Sequence, residues 1–217
     1  MTDFSIRLEQ AAEQMGLRLD DKQRQDILLY LELIQKWNKT YNITAIKDAE
    51  QILIQHLFDS LAVIPSLVER YDPQLRLTVL DVGSGGGLPG VVIAICCPQW
   101  QVTCVDAVEK KTAFITMVAG RLGLKNLRSK HGRIEDYRSH EADLVISRAF
   151  ASLRDFANWS GHTLKVGGLL AAMKGHYLAD EVADLECNTD WQLSSWQKLQ
   201  VVDLDAERCL LWISKKD

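Results

Sequence analysis

The chain has 217 residues, of which 47% are hydrophobic and 25% are charged, and it contains no low-complexity run. This composition is typical of one globular domain, with or without a small appendage, and excludes an intrinsically disordered chain. A formal net charge of -4 argues against a protein that binds nucleic acid non-specifically through a basic surface, although a local basic patch is compatible with it.

Cysteine usage and the N-terminal residues bear on the compartment. The five cysteines are odd in number and lack Cys-x-x-Cys spacing, so we expect reduced, mostly buried thiols and no metal site. The first residues lack a basic segment followed by an apolar run, which predicts no signal peptide. No apolar stretch is expected to reach the ~20 residues of a membrane span, so we expect a cytoplasmic protein without a membrane partner.

The predicted elements begin with helices in residues 1–72. Apolar residues at helical spacing predict three helices, which cover residues 4–15, about 21–37 and 52–68. Gly16 is expected to end the first, and Asp20 or Asp21 to cap the second before a polar break at residues 38–42. Pro65 should kink or split the third helix. We expect these helices to form an extension packed on the core.

From about Leu75 the pattern changes to alternating strands and helices. The predicted strands are 77–82, 101–106, 128–132, 142–147 and 169–173, and the predicted helices between them are 89–97, 110–122 and 153–164. Gly167 and Gly168 predict a turn before the fifth strand. The alternation predicts an α/β fold in residues 73–217, a doubly wound, Rossmann-like parallel sheet. Residues 193–202 and 208–213 predict an antiparallel C-terminal hairpin at the end of that sheet.

A glycine-rich loop, Asp81-Val82-Gly83-Ser84-Gly85-Gly86-Gly87-Leu88-Pro89-Gly90, follows the first predicted strand. Open α/β sheets bind ligands at this position, and glycines let the backbone approach a ligand closely. Two cofactors compete for it. Gly85-x-Gly87-x-x-Gly90 matches the dinucleotide fingerprint, with Asp106 as the ribose ligand. S-adenosylmethionine is the other candidate.

Two carboxylates favour S-adenosylmethionine over a dinucleotide. Asp81 precedes the first glycine and would repel a pyrophosphate, whereas it would attract the ammonium and sulfonium of S-adenosylmethionine. The ribose of that cofactor still needs a hydrogen-bond acceptor, and Asp106 at the end of the second strand is suitably placed. The sequence therefore predicts a methyl donor in this loop.

The segments after the third and fourth strands also fall at the ligand-binding edge. Arg133-Ile134-Glu135 could hold an adenine ring or form a charged solvent loop. Ser147-Arg148-Ala149-Phe150-Ala151-Ser152 lacks both the Asn/Asp-Pro-Pro-aromatic run typical of amine methylation and the cysteine nucleophile required at pyrimidine carbon-5. Arg148 suits the O6/N7 edge of guanine, and its alternative role is a surface ion pair.

Other basic residues have two possible roles. Lys174, after the fifth strand, could contact phosphate or remain solvated. Eight cations cluster between residues 110 and 138 and form either an RNA-facing surface or an ordinary mixed helix face.

The sequence resembles the bacterial 16S ribosomal RNA guanine-N7 methyltransferases, also called glucose-inhibited division protein B, from about Leu31 to the C-terminal strands. The motifs that carry the resemblance are Trp37-Asn38-Lys39-Thr40-Tyr41-Asn42-Ile43-Thr44-Ala45-Ile46, His56-Leu57-Phe58-Asp59-Ser60, the glycine loop from Leu80 to Gly90, Val145-Ile146-Ser147-Arg148-Ala149-Phe150-Ala151-Ser152-Leu153, and Met173-Lys174-Gly175. The glycine loop is common to many methyltransferases, whereas the N-terminal motif together with the Ile-Ser-Arg-Ala motif is far more specific.

The resemblance implies methyl transfer from S-adenosylmethionine to N7 of one guanine in the decoding-region loop of 16S rRNA. It implies cofactor contacts at Gly83, Leu88, Ile134, Glu135 and Arg148, to which the residues themselves add Asp81, Gly85 and Asp106. It implies RNA contacts at Arg133, Arg148 and Lys174. We expect an SN2 transfer that needs only positioning, with no catalytic base, and a monomer that acts on the small ribosomal subunit without an obligate protein partner. The alternatives are a non-catalytic RNA-binding or ribosome-assembly protein and a small-molecule methyltransferase.

Overall fold

The computed structural model describes residues 2–216. The outer ends of the two predicted units, 1–72 and 73–217, therefore lie outside the described residues. The helices are α1 Thr2–Gln14, α2 Asp21–Tyr41, α3 Ala49–Ile52, α4 Asp59–Leu61, α5 Ile64–Arg70, α6 Gly90–Cys96, α7 Glu109–Leu122, α8 Leu153–Ser160 and α9 Ala179–Asn188. The strands are β1 Thr78–Val82, β2 Gln101–Asp106, β3 Leu127–His131, β4 Ala142–Arg148, β5 Leu164–Lys174, β6 Trp191–Leu199 and β7 Arg208–Lys215.

One seven-stranded sheet organises the protein, in the order β3-β2-β1-β4-β5-β7-β6. The first five strands of the chain pair in parallel, and β7 pairs antiparallel with both β5 and β6. The prediction of a doubly wound sheet with an antiparallel C-terminal end is confirmed. The strand order reverses between β1 and β4, and such a reversal opens a crevice at the carboxyl ends of the strands.

Helix α2 begins as predicted but extends further than the sequence indicated. Asp20 and Gln23 form a reciprocal capping box at its N-terminus. The predicted break at residues 38–42 is wrong, because the helix continues to Tyr41 and ends at Asn42 in the left-handed conformation. Asn38 is buried, and its side chain bonds to the Ile46 carbonyl (2.8 Å) and the Thr44 amide (3.0 Å). A polar residue that suggested a break therefore fastens the following loop to the helix.

The third predicted helix is a longer and irregular helical stretch, Ala49–Arg70. It includes a π-helical segment, Leu53–Phe58, and it is interrupted before Pro65, as predicted. The stretch is 22 residues long, and its most apolar 18-residue window has a mean hydropathy of 1.4, which reaches the length and composition of a membrane span, so the expectation that no stretch does so is wrong. Because 72% of its most apolar window is buried inside the protein, the stretch packs as a core helix.

Two elements near the C-terminus differ from expectation. Gly167 and Gly168 form no turn before β5: the strand already begins at Leu164, and Gly167 has φ +79° where the register with β4 shifts. Between these pairings β5 advances five residues while β4 advances two, so the glycines lie in an irregular segment of the strand. Helix α9 was not predicted. It is half-polar and buries only Val182 and Leu185, which leaves a weak apolar pattern.

The core has two hydrophobic clusters. The larger unites the N-terminal helices with the sheet and α6, through residues such as Leu8, Tyr30, Leu57 and Val91. The smaller includes apolar residues of α8 and α9, such as Phe156 and Leu185, packed with residues of the sheet. All five cysteines are free thiols, and Cys97, Cys104 and Cys209 are buried.

Candidate functional site

The glycine loop lies at the carboxyl end of β1, between this strand and α6. The amides of Gly83 and Ser84 donate to the carbonyl of Val105 on β2, at 2.9 and 3.2 Å. Gly83 has φ +65°, and a Cβ there would lie 2.4 Å from Cδ2 of Phe150. Gly87 has φ +97°, and a Cβ there would lie 2.5 Å from Cγ2 of Val91. Both positions require glycine, because neither the backbone conformation nor the space accepts a side chain.

Asp81 lies underneath this loop. Its Oδ2 accepts a hydrogen bond from the Gly90 amide at 2.7 Å, and its Oδ1 has no hydrogen-bond partner in residues 2–216. Complete burial raises the pKa of this carboxyl to about 7. Asp81 is in the wall of neither cavity described below. It holds the start of α6 against β1, and its attraction for a cationic ligand stays a prediction.

Asp106 ends β2 and supports the same loop from its other side. One carboxylate oxygen accepts from the Gly85 amide and the other from the Val108 amide, both at 2.8 Å. A carboxylate oxygen can accept more than one hydrogen bond, so both remain available to a ligand. The side chain is fixed in direction and faces a cavity.

That cavity, which we call the small cavity, has a volume of about 180 Å³. It brings together three residues predicted to bind a cofactor, Asp106, Ile134 and Glu135, and it has Arg133 at its wall. Its full lining is Val82, Gly83, Val105, Asp106, Ala107, Gly132, Arg133, Ile134, Glu135, Phe150 and Trp159. Phe150 and Trp159 meet edge to face, with ring centroids 5.8 Å apart. Apolar and aromatic walls beside a carboxylate fit a nucleoside.

The second cavity, which we call the large cavity, has a volume of about 530 Å³. The predicted residues Gly83, Gly85, Leu88, Arg148 and Lys174 line it. Gly83 lines both cavities, so they adjoin along the glycine loop. The other lining residues are Ile34, Ile43, Thr44, Gln55, His56, Asp59, Ser84, Gly86, Ala149, Met173, Gly175 and Arg208.

Asp59 binds two arginines in the wall of the large cavity. Its Oδ2 lies 2.9 Å from Nη1 of Arg148, and its Oδ1 lies 2.7 Å from Nε of Arg208. The Asp59 side chain is 2% exposed, whereas those of Arg148 and Arg208 are 20% and 26% exposed. Of the two roles considered for Arg148, the surface ion pair is wrong as stated, because its partner carboxylate is buried. The pair orients the guanidinium at the cavity.

His56 is a neutral neighbour of this ion pair. Its Nε2 lies 2.7 Å from the Thr44 hydroxyl, and its Nδ1 lies 3.1 Å from the Gln55 carbonyl. Burial, followed by the charge of Arg148, lowers the pKa of the imidazole to about 4. The imidazole is therefore uncharged at neutral pH.

The remaining predicted cations occupy different settings. Lys174 donates to the Ala151 carbonyl at 2.7 Å and pairs with Glu181 at 2.9 Å, so it is held at the cavity and is not simply solvated. Arg133 is exposed beside the small cavity. No group of three His, Cys, Asp or Glu side chains in residues 2–216 is arranged to hold a metal ion.

Three ionisable residues of the large cavity carried no assigned role in the expectations drawn from sequence: His56, Asp59 and Arg208. The first two interrupt an otherwise apolar helix, which is a usable signal because charged groups are rarely buried without a purpose. Arg208 is a single arginine beside an acidic loop, and nothing in its local sequence distinguishes it.

The donor set of the two cavities fits S-adenosylmethionine. The carboxylate of Asp106 can accept hydrogen bonds from hydroxyls, as a ribose requires, and the small cavity has the apolar wall that an adenine ring needs. Arg148 supplies a cation for a carboxylate in the large cavity. The glycine loop, where added side chains would take up the space, lies between the two cavities.

Comparison with known sequences agrees with this geometry. Residues 23–211 match the family model described as rRNA small subunit methyltransferase G. A protein of Bordetella avium named ribosomal RNA small subunit methyltransferase G is 53% identical over 209 residues, covering 96% of this chain and 92% of its own. A protein of the same name from Neisseria meningitidis is 44% identical and covers 97% and 98% of the two chains.

Solved structures are similar in fold. A methyltransferase from Aquifex aeolicus, described as S-adenosylmethionine dependent, superposes with a TM-score of 0.57 at 15% identity, over 79% of this chain and 96% of its own. The ribosomal protein L11 methylase of Lactobacillus delbrueckii superposes with a TM-score of 0.57 at 18% identity, over 73% and 79%. At these identities the likeness concerns the fold alone.

Proposed function

The chain belongs to the rRNA small subunit methyltransferase G family, and we propose that it methylates N7 of a guanine in the decoding-region loop of 16S rRNA. S-adenosylmethionine is the cofactor, and the small ribosomal subunit or its RNA is the substrate. The observation that carries the proposal is the pair of cavities that adjoin at Gly83, one suited to a nucleoside and the other lined by arginines.

The bound cofactor supplies a methyl group on a positively charged sulfur, which a nucleophile can displace directly. We propose that Asp106 binds the ribose and that Ile134 and Glu135 hold the adenine. Gly83, Gly85 and Leu88 support the methionine part, with Arg148 at its carboxylate and Asp81 beneath the loop. These groups fix the donor in position, and alignment of reacting groups alone supplies a large part of a rate enhancement.

Guanine N7 has a free lone pair and needs no base before it attacks. The site agrees with this demand, because burial and the charge of Arg148 lower the pKa of His56, the histidine in the wall of the large cavity, to about 4, which makes it a weak base. No cysteine is among the described residues that line the large cavity. We propose that transfer is a single displacement with no covalent enzyme intermediate.

Recognition of guanine suits the arginines of the large cavity. Arginine N–H groups can donate to O6 of guanine, which leaves the N7 lone pair free to attack the methyl carbon. We propose that Arg148, Arg133 and Lys174 contact the RNA, with Arg148 shared between cofactor and base. We further propose that residues 1–72 are an extension of a methyltransferase domain formed by residues 73–217, and that the protein acts as a cytoplasmic monomer.

The proposal is tested by incorporation of labelled methyl into 16S rRNA from cells that lack this protein. We expect incorporation by the wild type and a strong loss in Asp106→Asn, with Asp136→Asn, an exposed neighbour, as the matched control. Binding of rRNA should weaken steeply with salt. Cofactor binding without incorporation would favour a non-catalytic RNA-binding role if rRNA still binds, and a small-molecule substrate if it does not.

A further inference from the structure

Arg208 has unused hydrogen-bonding capacity in the wall of the large cavity. Its Nε donates to Asp59 at 2.7 Å, and its Nη1 donates to the Glu207 carbonyl at 2.8 Å. A guanidinium has five N–H groups, and two are used here. The other three, including both on Nη2, have no acceptor in the described part of the chain. An arginine held this firmly at two atoms presents the rest of its fork to a ligand.

The charges around the cavity leave an excess that the cofactor does not neutralise. Arg148 and Arg208 share one carboxylate, that of Asp59, and Lys174 has its own partner in Glu181. His56 is uncharged. Two guanidiniums against one carboxylate leave one positive charge, and the cavity has no second acidic lining residue among those described. The cofactor has one carboxylate but also an ammonium and a sulfonium, so its net charge is positive and it does not remove this excess. Pairing of its carboxylate with Arg148 leaves Arg208 available.

Strand order separates the two arginines. β1, which leads into the glycine loop, is adjacent to β4, which ends at Arg148. β5 follows, and then β7, which begins at Arg208. The backbone of Arg208 therefore begins two strands further from the glycine loop than that of Arg148, although both side chains reach the same carboxylate, that of Asp59.

We propose that Arg208 is a binding site for a backbone phosphate of the RNA, next to the nucleotide that is methylated. This assignment rests on the proposed function, because it takes RNA as the second substrate. The planar fork of arginine matches two phosphate oxygens, and charge-assisted bonds of this kind are the strong ones. Asp59 is the positioning residue, since it fixes the plane of the guanidinium and keeps it at the cavity.

The test compares Arg208→Gln with wild type in the full chain, using 30S subunits or 16S rRNA from cells that lack the protein. We expect KM for the RNA to rise roughly tenfold or more. We expect the slope of log binding constant against log salt to fall by about 0.7, the value for one contact with single-stranded nucleic acid. The dissociation constant for S-adenosylmethionine should change less than about twofold, since Arg208 contacts RNA only.

Two further variants separate the phosphate contact from other effects. Arg208→Lys retains the charge, so it should restore the salt slope and only part of the affinity. If Arg208→Gln does not fold, the loss of RNA affinity in Arg208→Lys at an unchanged salt slope tests the assignment instead. Lys198→Gln removes one cation from an exposed position on β6, outside the cavity, and should leave KM and the slope unchanged.

An unchanged KM and an unchanged salt slope in Arg208→Gln would overturn the assignment. So would a weakened binding of S-adenosylmethionine with normal RNA binding, because Arg208 would then serve the cofactor carboxylate. The RNA-binding measurement needs no turnover. A wild type that binds rRNA without methylating it would therefore contradict the proposed activity, while the Arg208 variants would still test the phosphate site.

Discussion

Tyr30 and Gly86 are joined by a hydrogen bond of 2.6 Å from the phenol hydroxyl to the backbone carbonyl. Tyr30 is fully buried on α2, and Gly86 is at the centre of the glycine loop. Burial raises the pKa of the phenol well above its usual value, so the hydroxyl remains a donor at neutral pH. The N-terminal helices thus do more than cover the sheet, because they fix the loop that we propose to bind the cofactor.

Tyr30→Phe should lower both the stability of the protein and its affinity for the cofactor. Loss of the hydroxyl leaves the Gly86 carbonyl without this partner, which should lower the free energy of unfolding by about 1 kcal/mol. The dissociation constant for S-adenosylmethionine should rise several-fold because the loop is less well held. Tyr41→Phe, at an exposed position on the same helix, is the matched control. Calorimetric titration and thermal unfolding measure both effects; equal behaviour of the two variants would contradict this role.

Gly83→Ala should abolish tight cofactor binding. The positive φ costs an alanine about 1–2 kcal/mol, and its Cβ would displace the Phe150 ring that lines the small cavity. Gly120→Ala provides the contrast, since this glycine is in α7 with no atom within 4 Å of the added Cβ. Alanine there should raise the free energy of unfolding by roughly 0.5–1 kcal/mol. Normal cofactor affinity in Gly83→Ala, measured by calorimetry, would contradict the proposed role of Gly83 in binding the cofactor.

His56 should make stability depend on pH in the acid range. The pKa of its imidazole is about 4 in the folded protein and near 6.5 when unfolded, so the unfolded chain binds the extra proton between these values. Stability of the wild type relative to His56→Gln should therefore fall as the pH drops from 6.5 to 4, by roughly 3 kcal/mol at most. Urea unfolding of both proteins at several pH values measures the difference. A difference that does not change with pH would show that the imidazole titrates normally.

Replacement of each cysteine by alanine should leave methyl transfer intact. None of the five lines the large cavity, and burial raises the pKa of the Cys97 thiol to about 12, which makes it a poor nucleophile. Cys104 is buried 3.9 Å from Asp81, so Cys104→Ala should cost stability while kcat stays within about twofold. Steady-state kinetics on folded variants measures this. Loss of turnover in a stably folded variant would indicate a covalent intermediate.

The local features of this protein could be predicted from sequence, whereas its long-range contacts could not. The glycine loop and Asp106 can be recognised because a strand, a turn and a helix follow one another along the chain. The contacts within the loop join residues that are close in sequence. The pair of Asp59 and Arg208 spans 149 residues, and nothing near either one indicates the other. Only the strand order, with β7 inserted beside β5, brings them together.

The errors within elements have physical causes of the same kind. The polar run from Asn38 indicates a break only if its side chains face water. Asn38 is buried instead, because its side chain bonds to the loop that follows the helix. Gly167 indicates a turn when its strand neighbours are unknown, and an irregular segment within a strand once β4 is paired beside it. In both cases tertiary contacts decided between two local readings.

The most direct test of the proposed reaction is to map the methyl group. Labelled S-adenosylmethionine, the protein, and 16S rRNA or 30S subunits from cells without it are incubated, and the labelled base is located by cleavage specific for N7-methylguanosine. The proposed function predicts label at N7 of a single guanine in the decoding region. Label on another atom or base would contradict the N7 assignment, and no label on either substrate, from protein shown to bind the cofactor, would contradict rRNA methylation itself.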